Sequence, residues 1–289
     1  MSVTGFIPKI WSASILRGFE RVSVFASVLS REYSGEIRNV GDTVKVPQIG
    51  AVSVREYVKR QPIQYDDISG STKDITVDQA KYFGLRCEDI EAHQSNTDFL
   101  DGATQNAAYA LRNTVDKYTA EILANGAATK LYEDKPFPLN LPTFKNNDDV
   151  IISLFTEMAK NLDELNVPRA GRFCIISPAI VEALSLSVIK AGTPNETPIS
   201  EGFIFRCAGF DILMSNNLPT DTDENTTIIA GTRAAGTHIM QIDKVETLRD
   251  TQQFGDLVRG LAVYTSAVLL PEGICTALVK KPVPVIPTP

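Results

Sequence analysis

The chain has 289 residues, of which 43% are hydrophobic and 22% are charged, and its formal net charge is -7. A pI of about 5.0 argues against a protein that reads nucleic-acid sequence, because such proteins carry a basic surface. The length allows a sizeable core, so we expect folding without a metal or a disulfide.

The first 40 residues indicate an amphipathic arm. Apolar residues recur at helical spacing in two short groups, and Lys9 and Arg17 interrupt them before a signal-peptide core can form. Short helices are marginal alone, so this arm must dock on its own subunit or on a neighbour. The apolar residues are Ile7, Ile10, Trp11, Ile15 and Phe19, followed by Val22, Phe25, Val28 and Leu29.

From Gly41 the apolar residues alternate with polar ones, which is typical of strands. Alternation runs through residues 43–46 and 52–55, stops in the polar stretch 59–73, and returns over residues 75–88. We interpret this as a long two-stranded hairpin with a charged tip. Such a hairpin is barely stable alone, so it suits a subunit that reaches a neighbour.

A long helix is predicted over residues 98–125, and its apolar residues follow a 3-4 spacing. Gly126 then marks its end. At 1.5 Å per residue the helix spans roughly 40 Å and can act as a spine. The stripe consists of Ala108, Leu111, Val115, Tyr118 and Ile122.

The second half mixes helices and strands. A second amphipathic helix is predicted over residues 148–166, a strand over 172–176, and a small helix that begins at Ser177-Pro178. Further strands are predicted over 203–215 around Ala208-Gly209, then over 226–230, 238–242 and 257–269. The proline-rich end, 280–289, favours an extended conformation. The fold class is therefore α+β.

Several blocks of the sequence, in order, resemble the major capsid proteins of tailed bacteriophages. They include Phe-Ile-Pro-Lys-Ile-Trp-Ser-Ala-Ser-Ile-Leu (6–16), Ser-Arg-Glu-Tyr-Ser-Gly-Glu-Ile (30–37), Gly-Asp-Thr-Val-Lys-Val-Pro (41–47) and Asp-Gln-Ala-Lys-Tyr-Phe-Gly-Leu (78–85). Val-Pro-Arg-Ala-Gly-Arg-Phe-Cys-Ile-Ile-Ser-Pro (167–178), Phe-Gly-Asp-Leu-Val-Arg-Gly-Leu-Ala-Val-Tyr (254–264) and Val-Leu-Leu-Pro-Glu (268–272) complete the set. Each block alone is weakly specific, and their order carries the resemblance.

The resemblance implies a Hong-Kong-97-type capsid fold. It divides the chain into an N-terminal arm (1–40), an extended β-hairpin loop (41–95) and a peripheral domain with the spine helix (96–176). An axial domain (177–235) and C-terminal strands with a proline-rich tail (236–289) follow.

The resemblance also implies the partners. We expect pentamers and hexamers of this chain in an icosahedral shell around double-stranded DNA, which the acidic wall would not bind sequence-specifically. Separate scaffolding, portal and decoration proteins are candidate partners. Assembly is expected in the host cytoplasm with no membrane, since the late apolar run 260–271 is too short to span one.

Candidates for contact between subunits lie in the arm and at the hairpin tip, where charges of both signs occur. Docking on a neighbour and an ordinary solvated loop remain alternatives at the tip, and Trp11 fits either an interface or a core. The candidates are Trp11, Phe25, Arg55, Lys59, Arg60, Asp66 and Asp67.

Catalytic and metal motifs are missing from the sequence, so we expect no enzyme activity and no cofactor. The two histidines, His93 and His238, form no H-E-x-x-H pair, and there is no C-x-x-C pair or phosphate-binding glycine loop. The cysteines Cys87, Cys174, Cys207 and Cys275 are interpreted as buried thiols in a reducing compartment. Two alternatives to a phage capsid remain: an encapsulin-like shell around protein cargo, and an enzyme with an unrecognised site.

Overall fold

The structure is a computed structural model, and it describes residues 23–33, 41–49, 54–57, 59, 70–88, 98–139, 148–182, 184, 206–250 and 254–280. Within these ranges the chain forms a two-stranded, a three-stranded and a six-stranded sheet together with two long helices. The predicted mixture of helices and strands is confirmed.

The predicted hairpin forms in part: its second arm begins at Gly70, inside the stretch predicted as the polar tip, and is divided between two sheets, while residues 54 and 55 are not in a strand. Strand β1 (Thr43–Ile49) pairs antiparallel with β2 (Gly70–Thr76). Strand β3 (Gln79–Glu88) pairs instead with β10 (Gly255–Val268), near the other end of the chain. The prediction of a single returning strand, which rested on the alternation, is therefore wrong. The alternation continues because Val77, between the two strands, also faces the core.

The three-stranded sheet has the order β3-β10-β9, with β9 spanning Gly236–Arg249 and β10 spanning Gly255–Val268. Its two faces have different neighbours. Val263 on one face joins the apolar cluster of the hairpin. Ala262 and Tyr264 on the other face pack against the spine helix, α2 (Asp98–Gly126). One end of the sheet is thus enclosed between hairpin and helix.

Helix α2 spans Asp98–Gly126, one residue longer than predicted. Leu111 and Val115 lie on its buried side as expected, but Tyr118 and Ile122 are only half-buried and Leu123 is fully buried. At Gly126 an added Cβ would lie 2.6 Å from the Val268 side chain. Glycine is therefore needed here for close approach of the helix end to β10.

The six-stranded sheet has the order β4-β11-β8-β5-β7-β6. Helix α3 (Asp148–Glu164), predicted to residue 166, covers one face through Leu154, Phe155 and Met158. The short helix α1 (Phe25–Val28) and the end of α2 cover the other face. The strands are β4 (Thr129–Leu131), β5 (Arg172–Ile176), β6 (Arg206–Cys207), β7 (Phe210–Met214), β8 (Thr226–Thr232) and β11 (Ile274–Val279).

Strands β4 and β11 were not predicted, whereas the turn between β6 and β7 was. Ala208 and Gly209 have φ values of 50° and 86°, as the tight turns of β-hairpins require. The small helix after Ser177 occupies residues 178–182. The six-stranded sheet takes strands from the segments 96–176, 177–235 and 236–289, so it joins all three. The division into peripheral and axial domains stays a prediction.

Candidate assembly interface

The segment that precedes the hairpin docks on its own subunit. Ser23 Oγ donates to Asp116 Oδ1 on α2 over 2.7 Å, and the backbone N–H of His238 donates to the Ser30 carbonyl over 2.9 Å. Phe25 is fully buried against Leu123 and its neighbours. The arm was expected to dock either on its own subunit or on a neighbour, and residues 23–33 dock on their own subunit.

Asp116 is a buried carboxylate in the middle of this attachment. Burial raises its pKa above the ordinary value, although the hydrogen bonds from Ser23 and from the backbone N–H of Val24 oppose the shift. Arg112 Nε lies 4.0 Å from its other oxygen. Buried polar groups of this kind are costly unless they are paired. The pairing therefore favours one position of the segment on α2.

The base of the hairpin is tied to both the spine helix and β10. Tyr118 donates its phenol to Asp78 Oδ1 over 2.8 Å, and burial, with this bond, raises the pKa of Tyr118 to about 12. Thr265 Oγ1 donates to the Thr76 carbonyl over 3.3 Å, and Lys73 Nζ donates to the Val268 carbonyl over 2.6 Å. These hydrogen bonds therefore fix the base of the hairpin to α2 and β10.

Beyond this base the described side chains are exposed. Val54 is 97% exposed and Tyr57 is 79% exposed, and Arg55 and Lys59 also lie at the surface. Single exposed apolar side chains are common, whereas several close together mark interaction sites, and Val54 and Tyr57 are only three positions apart in the sequence. The extension is therefore a candidate contact surface.

A second candidate surface is the far end of the three-stranded sheet, which we call the distal face. Tyr82 on β3 lies opposite Leu261 of β10, and Leu248 on β9 lies opposite Leu257 of β10. Because residues directly opposite each other point to the same side of a sheet, and Leu257 and Leu261 are both odd-numbered, Tyr82 and Leu248 share one side. Tyr82 is 83% exposed, Leu248 is 41% exposed, and Phe254, just before β10, is 84% exposed. Val263, further along the same side of β10, is buried under the hairpin. The distal face therefore carries the exposed Tyr82 and Leu248, and the register places the exposed Arg86 and Arg259 on the same side.

The described part of the chain shows no cluster of three or more potential metal ligands. Burial raises the pKa of the Cys174 and Cys275 thiols, the latter to about 12. Thiols protonated to this extent are poor nucleophiles. Among the described helices, none combines the length and apolar character that crossing a membrane requires.

Comparison with known proteins decides the family. The model of a family described as "Phage capsid protein" matches residues 71–277. This match covers more than half of the chain. The chain belongs to the phage capsid protein family.

Solved structures agree with this family. The capsid protein is similar to a structure titled "Mycobacterium phage Che8", with 28% identity over 88% of this chain and 90% of that chain, and a TM-score of 0.64. It shares its fold with one titled "Gordonia phage Cozz" (14% identity, 90% and 87% covered, TM-score 0.64). A virus-like particle from Pyrococcus furiosus has the same fold (13% identity, 94% and 99% covered, TM-score 0.55). No curated protein sequence matches the chain.

The matches establish that the chain is a major capsid protein with the Hong-Kong-97-type fold, as the resemblance implied. Its place is in the shell of the virion. They favour a phage capsid over the encapsulin-like alternative, since the family that matches is a phage capsid family.

The structure locates three of the seven predicted contact residues. Arg55 and Lys59 lie on the exposed extension, whereas Phe25 has no exposed surface and serves to attach the arm of the capsid protein to its own body. The other four, Trp11, Arg60, Asp66 and Asp67, lie outside the described residues.

Sequence reasoning missed Tyr82, Leu248 and Phe254. Tyr82 offered one signal: it stands on the polar parity of the alternating segment, where an exposed aromatic residue is unexpected. Leu248 and Phe254 had no local signal, because their exposure follows from pairing between distant strands.

Proposed function

We propose that the capsid protein assembles as pentamers and hexamers into an icosahedral shell around double-stranded phage DNA. The observation that carries this proposal is the distal face, where Tyr82 and Leu248 are exposed beside Arg86 and Arg259, at the end of a sheet whose other end is enclosed. Aromatic residues and arginine are enriched where proteins contact each other. In a shell, each copy gains by burying the distal face against the next.

The hairpin extension supplies a second contact of different chemistry. Arg55 and Lys59 are basic and exposed, and the same loop carries Asp66 and Asp67. A two-signed tip orients docking on a neighbour through complementary charges. Trp11 and Arg60 belong to the same proposal as further contacts.

The role is structural rather than catalytic. The net charge of -7 suits a wall that encloses DNA without binding its sequence, because like charges repel over about 10 Å at ordinary salt. Separate scaffolding, portal and decoration proteins are the expected partners, and the host cytoplasm is the expected place of assembly.

The distal face is tested by Tyr82→Ser. Tyr109 is the matched control, because it is also an exposed tyrosine but lies on α2. We expect Tyr82→Ser to slow shell formation, followed by light scattering and electron microscopy, at least tenfold more than Tyr109→Ser does. Equal rates for the two variants would contradict a role for the distal face.

The extension is tested by charge reversal, Arg55→Glu together with Arg60→Glu. Docking through complementary charges predicts fewer closed shells and a weaker dependence of assembly on salt. Unchanged assembly would remove the docking hypothesis and leave a solvated loop.

A further inference from the structure

A groove of about 470 Å³ opens where β11 ends. Its floor is apolar and consists of Leu139, Ile180 and Val279, each less than a tenth exposed. Pro178 and Ala179 extend this lining, and Glu224 and Lys280 also line it. A concave apolar surface with charged groups beside it is typical of a site that binds an extended segment.

The groove is held in shape by backbone hydrogen bonds. The N–H of Phe137 donates to the Leu278 carbonyl, and the N–H of Lys280 donates to the Phe137 carbonyl, both over 2.8 Å. The short helix on the opposite side begins at Ser177, whose carbonyl accepts from the N–H of Ile180 over 3.0 Å. The groove is therefore formed by ordered backbone, and the chain reaches it directly where β11 ends.

The nine residues that follow Lys280 match this groove in chemistry. They read Lys-Pro-Val-Pro-Val-Ile-Pro-Thr-Pro, with prolines at four positions. Proline lacks the N–H that a sheet needs, so the sequence favours a polyproline II helix. With three residues per turn, Pro284 and Pro287 share one ridge while Val283 and Ile286 share the next. The segment thus has two adjacent apolar ridges.

We propose that this groove binds residues 281–289 of the same chain as a polyproline II helix. At about 3.1 Å per residue the segment extends roughly 28 Å, and it starts at Lys280, which itself lines the groove. Attachment at the groove gives a local concentration on the order of millimolar, which favours the subunit's own segment over that of a second copy.

Disulfide trapping in the full chain tests the proposal. Ala179→Cys and Ile286→Cys place one thiol in the groove and one on an apolar ridge of the segment. The matched control adds Pro284→Gly and Pro287→Gly, which keep the same reach but remove the polyproline II preference. Mild oxidation, non-reducing electrophoresis and mass spectrometry of the linked peptides report the bond whether or not shells form.

We expect a disulfide within one chain that forms at least tenfold faster than in the glycine control. Equal rates in the two proteins would overturn binding in the groove. A disulfide between two chains, seen as a covalent dimer, would overturn the assignment to the same chain and identify a second copy as the occupant.

Discussion

His238 makes the folding stability of the capsid protein depend on pH. Its ring is buried on β9, Nδ1 lies 2.9 Å from Ser266 Oγ, and Nε2 has no hydrogen-bond partner in the described part of the structure. Burial, aided by the charge of Arg31, lowers its pKa from 6.5 to about 4. A proton added here would place an unpaired charge in the interior.

The direction and size of the effect follow from linkage. Because the pKa of the folded state is below that of the unfolded state, the stabilisation is complete above pH 6.5 and is lost as the pH falls towards 4. Each unit of pKa difference corresponds to about 1.4 kcal/mol of folding stability, so the difference between the two pKa values corresponds to about 3 kcal/mol once His238 is fully protonated in both states. At pH 4.5 we expect a loss of about 2.5 kcal/mol from this residue.

The assay is urea unfolding of unassembled subunits at pH 7.5 and pH 4.5, for the natural chain and for His238→Gln. The change between the two pH values is compared, so the cost of the substitution itself cancels. Contributions from Asp116 and Asp163, whose pKa values are also shifted, are common to both proteins. If the two proteins lose the same stability within about 0.5 kcal/mol, a buried neutral His238 is not the cause.

Three further substitutions test the packing. Gly260→Ala should destabilise the subunit by about 1–3 kcal/mol, because the new Cβ would lie 2.2 Å from Phe83, and adding Phe83→Val should restore most of the loss in thermal unfolding. Arg172→Met should cost about 3 kcal/mol in urea unfolding, since its buried guanidinium donates to Asp163 and to backbone carbonyls. Arg169→Met is its control: Arg169 is 78% exposed and binds the same carboxylate, so its loss should change the urea midpoint far less than the loss of Arg172 does. Ser23→Ala should cost about 1 kcal/mol and increase proteolysis of the arm; unaltered cleavage would argue against the attachment to α2.

Local patterns predicted the elements that depend on local physics. The spine helix and α3 have long amphipathic repeats, and their ends were predicted to within two residues. The β6–β7 turn followed from Ala208-Gly209. In each case the residues that determine the structure are neighbours in the sequence.

The missed features depend on partners far along the chain. Strand β11 is buried at five of its six positions, so it lacks the alternation by which a half-exposed strand is recognised. Strand β3 leaves the hairpin because its partner, β10, lies more than 160 residues away. The buried side of α2 includes Thr119, whose hydroxyl lies 2.8 Å from Ser266. A polar residue at such a position gives no apolar signal.

The candidate interface was predicted only in part for the same reason. The charged tip can be read from composition, and Arg55 and Lys59 are exposed as expected. The distal face becomes visible only when β3, β9 and β10 are placed side by side.

The central claim is that this chain builds a closed shell. Electron microscopy of the chain expressed alone, and again with scaffolding and portal proteins encoded beside it, tests this most directly. We expect closed icosahedral particles composed of pentamers and hexamers in at least one of the two preparations. A small, monodisperse species in both preparations would contradict it.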